Sequence, residues 1–325
     1  MKIYEFDQLE LSGRRYGGNA GAKTGVIFDD EFWFIKFPKN IRNLNNVQIS
    51  YTTSPISEYI GSQVYKSIGI PVHETVIGEY KGKIVVACRD FCQKVGERLD
   101  EYESIKNDYV EGLEDKISSL SSSGNGSDIE EIKIVMESNE LFKQVPELKD
   151  RFWDMFVIDA LIGNNDRNNG NWGVIVDEDG ATKVAPVFDN GNSFSNKLSE
   201  QQMERLLNDE QLFIESAYTN RVCHFEKDGK KINPLKYIES RKDQDCNAAL
   251  LRIVPNIDIA KISEIVNDIP EEYNGKKIIG RSQKKFYNAC MSYRYEKVLK
   301  PTYQKELYFG NIKTAEMSRT KEFER

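Results

Sequence analysis

The chain has 325 residues, 39% hydrophobic and 30% charged, which is enough apolar material for a core and too much charge for a membrane-embedded protein. No run approaches the roughly 20 apolar residues of a bilayer span, and Met1-Lys2-Ile3-Tyr4-Glu5-Phe6-Asp7 lacks the apolar stretch of a secretory signal. No transmembrane segment is expected, and synthesis is expected to be cytoplasmic. By length the chain holds about two folding units, as in a two-lobed enzyme. Cys88, Cys92, Cys223, Cys246 and Cys290 are odd in number and scattered, so free thiols are expected rather than a disulfide framework or a CxxC zinc site. His73 and His224 are the only histidines, which excludes a multi-histidine metal centre; each reads as structural.

The net charge of -7 is unevenly distributed. Residues 276–325 carry 13 Lys+Arg against 5 Asp+Glu, a basic tail on an acidic body. Such an end suits an anionic partner or a solvated helical face.

In chain order, residues 24–37 place two β-prone apolar runs around Asp29-Asp30-Glu31, the pattern of a hairpin. Cross-strand partners should sum to about 59 or 60, which sets Lys36 opposite Lys23 or Thr24 and beside Gly17-Gly18-Asn19-Ala20-Gly21-Ala22. Ser54 as N-cap and Pro55 as first helical residue open a helix with Ile56, Ile60, Val64 and Ile68 at a spacing of four, closed by Gly69. Strands follow at residues 72–79 and 83–87. The β-rich lobe is complete by Phe91, giving a domain of residues 1–91 and a helical one of residues 92–325.

The second domain is charged and helical, interrupted by the Ser/Gly tract of residues 118–128. Residues 152–162 are apolar nearly all round, as in a buried helix. Mixed helical stretches are expected over residues 198–325, apart from a turn at Lys227-Asp228-Gly229. The fold class is α+β, a two-lobed arrangement with a small β-rich lobe and a larger helical one.

The buried helix runs into Gly163-Asn164-Asn165-Asp166-Arg167-Asn168-Asn169-Gly170-Asn171, a polar loop with no apolar residue. Residues 172–176 and 182–188 then flank Asp177-Glu178-Asp179-Gly180 as a second hairpin, whose partners should sum to about 358. Asn171 would face Val187, with Asp189 as diagonal neighbour. An amide and a carboxylate brought together, with Asp166 five residues before the amide, suit Mg²⁺, a hard cation that takes few protein oxygens and leaves room for phosphates. Lys36 beside a glycine-rich loop, whose N–H groups can approach phosphate oxygens, completes a set for nucleotide phosphoryl transfer. Singly, each piece has an ordinary alternative: a polar turn, a surface lysine, a flexible glycine link. Their joint occurrence favours ATP and Mg²⁺.

Phe34-Ile35-Lys36-Phe37-Pro38, Gly163-Asn164-Asn165-Asp166 with Asn171, and Ala185-Pro186-Val187-Phe188-Asp189 resemble the HipA-like serine/threonine kinases, and the likeness spans most of the chain. It implies a kinase-like fold, protein substrates with Ser or Thr hydroxyls, and autophosphorylation, for which Ser12 and the serines of residues 118–127 are candidates. It implies that Lys36 holds the α/β-phosphates under Gly17, Gly18 and Gly21, that Glu58 pairs with Lys36, that Asp166 is the catalytic aspartate, and that Asn171 and Asp189 bind Mg²⁺. Arg89, Asp90 and Phe91 would meet the adenine. The compact form is similar to a bacterial effector, which implies secretion without a signal peptide, translocation into host cells, and a host-cell or anionic partner for the basic end. The chain departs from the family at Asn168, where a histidine is usual, and at Asp189-Asn190-Gly191, where the sequel is usually more apolar. Only the 16 residues before Gly17 stand where toxin-type relatives carry an added subdomain, so no antitoxin partner is expected.

Three rivals remain. Asp166-Arg167-Asn168 with Asn171 and Phe188-Asp189-Asn190-Gly191 also look like phosphoinositide-type lipid kinase loops. A nucleotide-binding scaffold without chemistry is the second. Residues 17–24 approach a Walker pattern, but the strand-like Val26-Ile27-Phe28 stands where a helix should follow.

Overall fold

The computed structural model describes residues 1–17, 22–44, 47–108, 117 and 126–309. Strands β1 (Tyr4–Glu5), β2 (Lys23–Phe28), β3 (Glu31–Lys36), β4 (Thr75–Tyr80) and β5 (Lys83–Arg89) form a five-stranded sheet in the order β1-β4-β5-β3-β2. Lys23 pairs with Lys36 and Phe28 with Glu31, one of the two expected registers. Asp29 and Asp30 take φ of 51° and 60°, the left-handed values of a two-residue hairpin turn whose twist matches its strands.

Alternation sorts the side chains. Val26, Trp33, Ile35, Val85 and Ala87 form a small core with Phe6 and Tyr80 on one face. Lys36, next to Ile35 and paired with Val86, takes the opposite face, where helix α1 (Ser54–Ile68) packs. That helix starts one residue earlier than expected: Thr53 is the cap residue, its hydroxyl bonded to Asn196 and Tyr287 and not to the helix, and Pro55 is the second helical position. Gly69 at φ 89° ends it, and the N–H groups of Gly69 and Ile70 bond the Lys66 and Tyr65 carbonyls.

A second sheet has the order β6-β7-β8, from β6 (Arg98–Glu101), β7 (Gly173–Val176) and β8 (Thr182–Val184). The register Val174 to Val184 is the expected one, but the ladder does not reach Asn171. After the Ala185 N–H bonds the Gly173 carbonyl, Pro186 has no N–H to continue. Val187 turns instead to Pro71 and His73, in a parallel bridge with Val72, so the predicted Asn171–Val187 pair does not form. Strand β6 is also unanticipated, because Arg-Leu-Asp-Glu has almost no apolar pattern; backbone pairing with β7 holds it.

Short helices α2 (Tyr102–Ile105), α3 (Ile129–Ser138) and α4 (Glu140–Gln144) lead to α5 (Glu147–Ile162), whose residues 152–162 are all buried, in the main core. The rest, to residue 309, is mainly helical, with two small hairpins at Glu226–Lys231 and Glu272–Lys277. The Lys227-Asp228-Gly229 turn lies in the first. Several cations of the basic end meet the acidic body: Lys276 with Glu79, Lys277 with Glu200, and Arg281 with Glu271. All five cysteines are free. Among the described residues, no helix is long and apolar enough to cross a membrane.

Gly78 fixes the sheet edge, because a Cβ there would meet the Phe6 ring and the Tyr4 carbonyl oxygen. Gly78→Ala should therefore destabilise the fold by about 1–3 kcal/mol, read as a lower urea midpoint at unchanged slope; an unchanged midpoint would show that β1 is not packed as described.

Candidate active site

Position 36 ends β3 on the α1 side of the sheet, and its side chain is 12% exposed. The Lys36 ammonium lies 2.9 Å from Glu58 Oε2 on α1 and 2.8 Å from Asp189 Oδ1. Burial opposes its charge, yet the Asp189 and Glu58 carboxylates raise its pKa above the ordinary lysine value. Glu58 is 1% exposed. Burial again opposes ionisation, but the Lys36 ammonium and the His73 hydrogen bond hold its carboxyl below the usual carboxylate range. Its Oε1 accepts from the Asn190 N–H at 3.1 Å and lies 2.8 Å from His73 Nε2. Every oxygen of this buried carboxylate is thus engaged.

The loop after α5 begins at Gly163, φ 69°, where a side chain would collide with the Arg221 and Arg294 guanidiniums. These cations bond the Gly163 and Leu161 carbonyls, at the negative end of the α5 dipole. Burial, with Arg294 beside it, pushes Arg221 down to about 10.

Asp166 is half-buried on that loop. Asn192 Nδ2 donates to its Oδ2 at 2.6 Å, while among the described residues Oδ1 has only Asn168 Nδ2, at 3.4 Å. Asn171 Nδ2 donates to the Asp166 carbonyl at 2.7 Å, and among the described residues no hydrogen bond engages its amide oxygen. Asp189 has φ 60°, a strained value for a residue other than glycine. Loop bonding, rather than the β7–β8 ladder, positions Asn171.

Gly17 is exposed, and its carbonyl accepts from Lys23 Nζ at 2.5 Å; Gly18 and Gly21 lie outside the described residues. Burial and the nearby Lys36 ammonium lower the Lys23 pKa. In the connection after β5, the N–H groups of Arg89 and Asp90 bond the Glu74 and Phe32 carbonyls. The Arg89 side chain pairs with Glu31, and the Asp90 carboxylate holds Arg14, Tyr16 and the Cys92 N–H. No hydrogen bond among the described residues engages the Phe91 backbone; its ring lies 5.5 Å from that of Phe188. Residues 118–125 are outside the described residues, and Ser127 is 1% exposed, which removes it as a surface acceptor.

This chain matches no protein-family model. It is 31% identical over 302 residues to the serine/threonine-protein kinase CtkA of Helicobacter pylori, covering 92% of this chain and 87% of the relative. The chain belongs to the HipA-like CtkA family of serine/threonine kinases. The crystal structure of the Helicobacter pylori proinflammatory kinase CtkA has a TM-score of 0.83 at 28% identity, covering 95% of this chain and 99% of that one. A HipA–HipB–operator DNA complex of Shewanella oneidensis has a TM-score of 0.47 at 12% identity, over 93% of this chain and 70% of that one. The β-rich sheet followed by a larger helical region is consistent with the two-lobed kinase-like fold.

Several site residues were not found from the sequence. Arg167 is 2% exposed and bonds Asp159, Asn190 and the Asn171 and Phe188 carbonyls. The signal was available: Asp159 is a carboxylate in an apolar helix, which requires a buried partner. Asn190, His73 and Asn192 carry no comparable mark.

The Lys36–Glu58 pair predicts a pH dependence. A carboxyl whose folded pKa is depressed contributes stability that is present above its unfolded pKa of about 4.3 and lost as pH falls through the folded value. The difference in unfolding midpoint between wild type and Glu58→Gln should be steady from about pH 7 to 9 and shrink below about pH 4.3. A difference that grows on acidification would contradict the assigned pairing.

Proposed function

We propose that this family member is an ATP- and Mg²⁺-dependent serine/threonine protein kinase that also phosphorylates itself, working in a cleft between residues 1–91 and residues 92–325. The observation that carries the reading is the Lys36 ammonium between Glu58 and Asp189, with the Asp166 loop bonded to Asn171.

The donor set fits the metal. The Asn171 amide oxygen is engaged by no described residue, its nitrogen bonding the Asp166 carbonyl, and Asp189 adds a hard carboxylate oxygen. Mg²⁺ held there would offset charge on the β- and γ-phosphates. Lys36 meets the α/β-phosphates, steadied by Glu58. Phe91, whose backbone groups no described residue engages, faces the adenine at the Arg89–Phe91 connection.

Asp166 Oδ1, the oxygen not held by Asn192, orients the acceptor hydroxyl and takes its proton. The hydroxyl oxygen bonds the γ-phosphorus as the bond to the β–γ bridging oxygen breaks, and the electron pair leaves with ADP. Ser12 is a candidate acceptor for self-phosphorylation.

Asp166→Asn should cut transfer to a protein acceptor by about 10²–10⁴-fold while ATP binding stays close to wild type. Asp189→Asn should weaken Mg²⁺-dependent ATP binding. Lys36→Ala should lower transfer by orders of magnitude, and Lys36→Arg should not restore it, since a planar guanidinium does not replace a compact ammonium. These are read with labelled γ-phosphate and phosphoamino-acid analysis. Equal transfer by wild type and Asp166→Asn would remove the base; label on inositol lipid alone would make the chain a lipid kinase, and label nowhere a binding scaffold.

A further inference from the structure

Helix α1 meets the loop side of the molecule with a polar face. Glu58, Ser62 and Tyr65 recur at intervals of four and three, so they lie on one side of the helix, with Gly61 among them. Each bonds a residue of residues 159–190: Glu58 accepts from the Asn190 N–H at 3.1 Å, Ser62 Oγ accepts from Asn190 Nδ2 at 3.2 Å, and Tyr65 Oη donates to Asp159 Oδ1 at 2.8 Å.

Asn190 is at the centre of this contact and is 0% exposed. Its backbone and amide nitrogen both hold α1, and its Oδ1 accepts from Arg167 Nη2 at 2.7 Å. The fit depends on Gly61, since a Cβ there would lie 2.7 Å from Asn190 Cβ. Its neighbour Gly191 is similarly restricted, with Glu58 Oε2 3.1 Å from where its Cβ would be.

We propose that Asn190 is a positioning residue: a polar latch, seated against Gly61 and Ser62, that holds α1 where Glu58 reaches Lys36, so that the Lys36–Glu58 pair is closed by the protein's own loop. The proposal rests on the kinase reading, because it acts through the lysine assigned to the phosphates. A displaced α1 misplaces Lys36, whereas the Arg89–Phe91 connection is held by bonds away from α1, its N–H groups on Glu74 and Phe32 and the Asp90 carboxylate on Arg14 and Tyr16, so the latch affects phosphate binding more than adenosine binding. General instability would lower the binding-competent fraction for both ligands alike.

The test measures dissociation constants for Mg²⁺–ATP and for adenosine by calorimetry, well below the unfolding midpoint. Asn190→Ala should weaken ATP by about tenfold, as expected for loss of a buried hydrogen bond, with adenosine within about twofold. Ser62→Ala should shift ATP less, and should add nothing in the Asn190→Ala background, where its partner is already gone. Gly61→Ala, which wedges the helix off the loop, should reproduce the ATP defect with Asn190 intact. Should Asn190→Ala fail to fold, Ser62→Ala and Gly61→Ala decide by the same ratio. An ATP-to-adenosine ratio equal to wild type in the folded variants, or full additivity of Ser62→Ala and Asn190→Ala, overturns the latch. Wild type that transfers phosphate beside such variants overturns the latch alone; wild type that binds no ATP overturns the kinase reading, and the latch with it.

Discussion

One buried guanidinium joins the segments that carry the candidate site residues. All five Arg167 N–H groups are used: Nε and one Nη2 hydrogen on Asp159, the other Nη2 hydrogen on Asn190, and Nη1 on the Asn171 and Phe188 carbonyls. Asp159 in turn accepts from Tyr65 and Asn164. Helix α5, the loop to Asn171, the segment through Asp189 and helix α1 thus share one hub. A planar fork of donors can meet a carboxylate and still reach two carbonyls; a lysine cannot. Such a pair is costly to bury and adds little net stability, but removing one partner leaves the other charged and unpaired, at about 3–5 kcal/mol. Its contribution is therefore to geometry: Asp166 and Asn171 flank the loop Arg167 anchors, and Asp189 lies between two residues it holds.

The same loop accounts for the departure at Asn168. Its Oδ1 accepts from the Gly170 N–H at 2.9 Å and its Nδ2 points to Asp166, a side chain closing a turn over its own backbone as asparagine does readily. The position acts here as loop structure. Asn164 does the same one turn earlier, accepting from the Asp166 N–H at 3.1 Å.

What could be read from the sequence divides along physical lines. Period-two alternation around an Asp-Asp turn narrows the β2–β3 register to Lys36 opposite Lys23 or Thr24, and the structure has Lys23. Glu58 followed only from family resemblance, because one acid in an amphipathic helix has no local mark. The β7–β8 register was also correct, yet extending it to Asn171 failed at Pro186, which ends the ladder and sends Val187 to Val72. Strand β6 was not found because its four residues satisfy backbone groups rather than a hydrophobic face. The Asn190 contact was hidden for a third reason. The apolar positions Ile56, Ile60, Val64 and Ile68 define one stripe of α1, and the functional stripe is the polar one beside it, whose meaning depends on a residue more than a hundred positions away.

The charges around Lys36 explain why this arrangement tolerates burial. One ammonium lies between two carboxylates, Glu58 almost fully buried and Asp189 with its side chain 20% exposed. The two bonds are not equivalent. Glu58 on α1 is fixed by Lys36 from β3, by His73 from the segment before β4 and by the Asn190 N–H, so it stays a partner of Lys36 wherever α1 stays in place. Asp189 is the more exposed partner, placed by the Arg167 bonds to Phe188 and Asn190 on either side of it. On the proposed reading Asp189 would be the one to hold Mg²⁺, with phosphate oxygens in its place at Lys36, so that neither buried charge would be left unpaired.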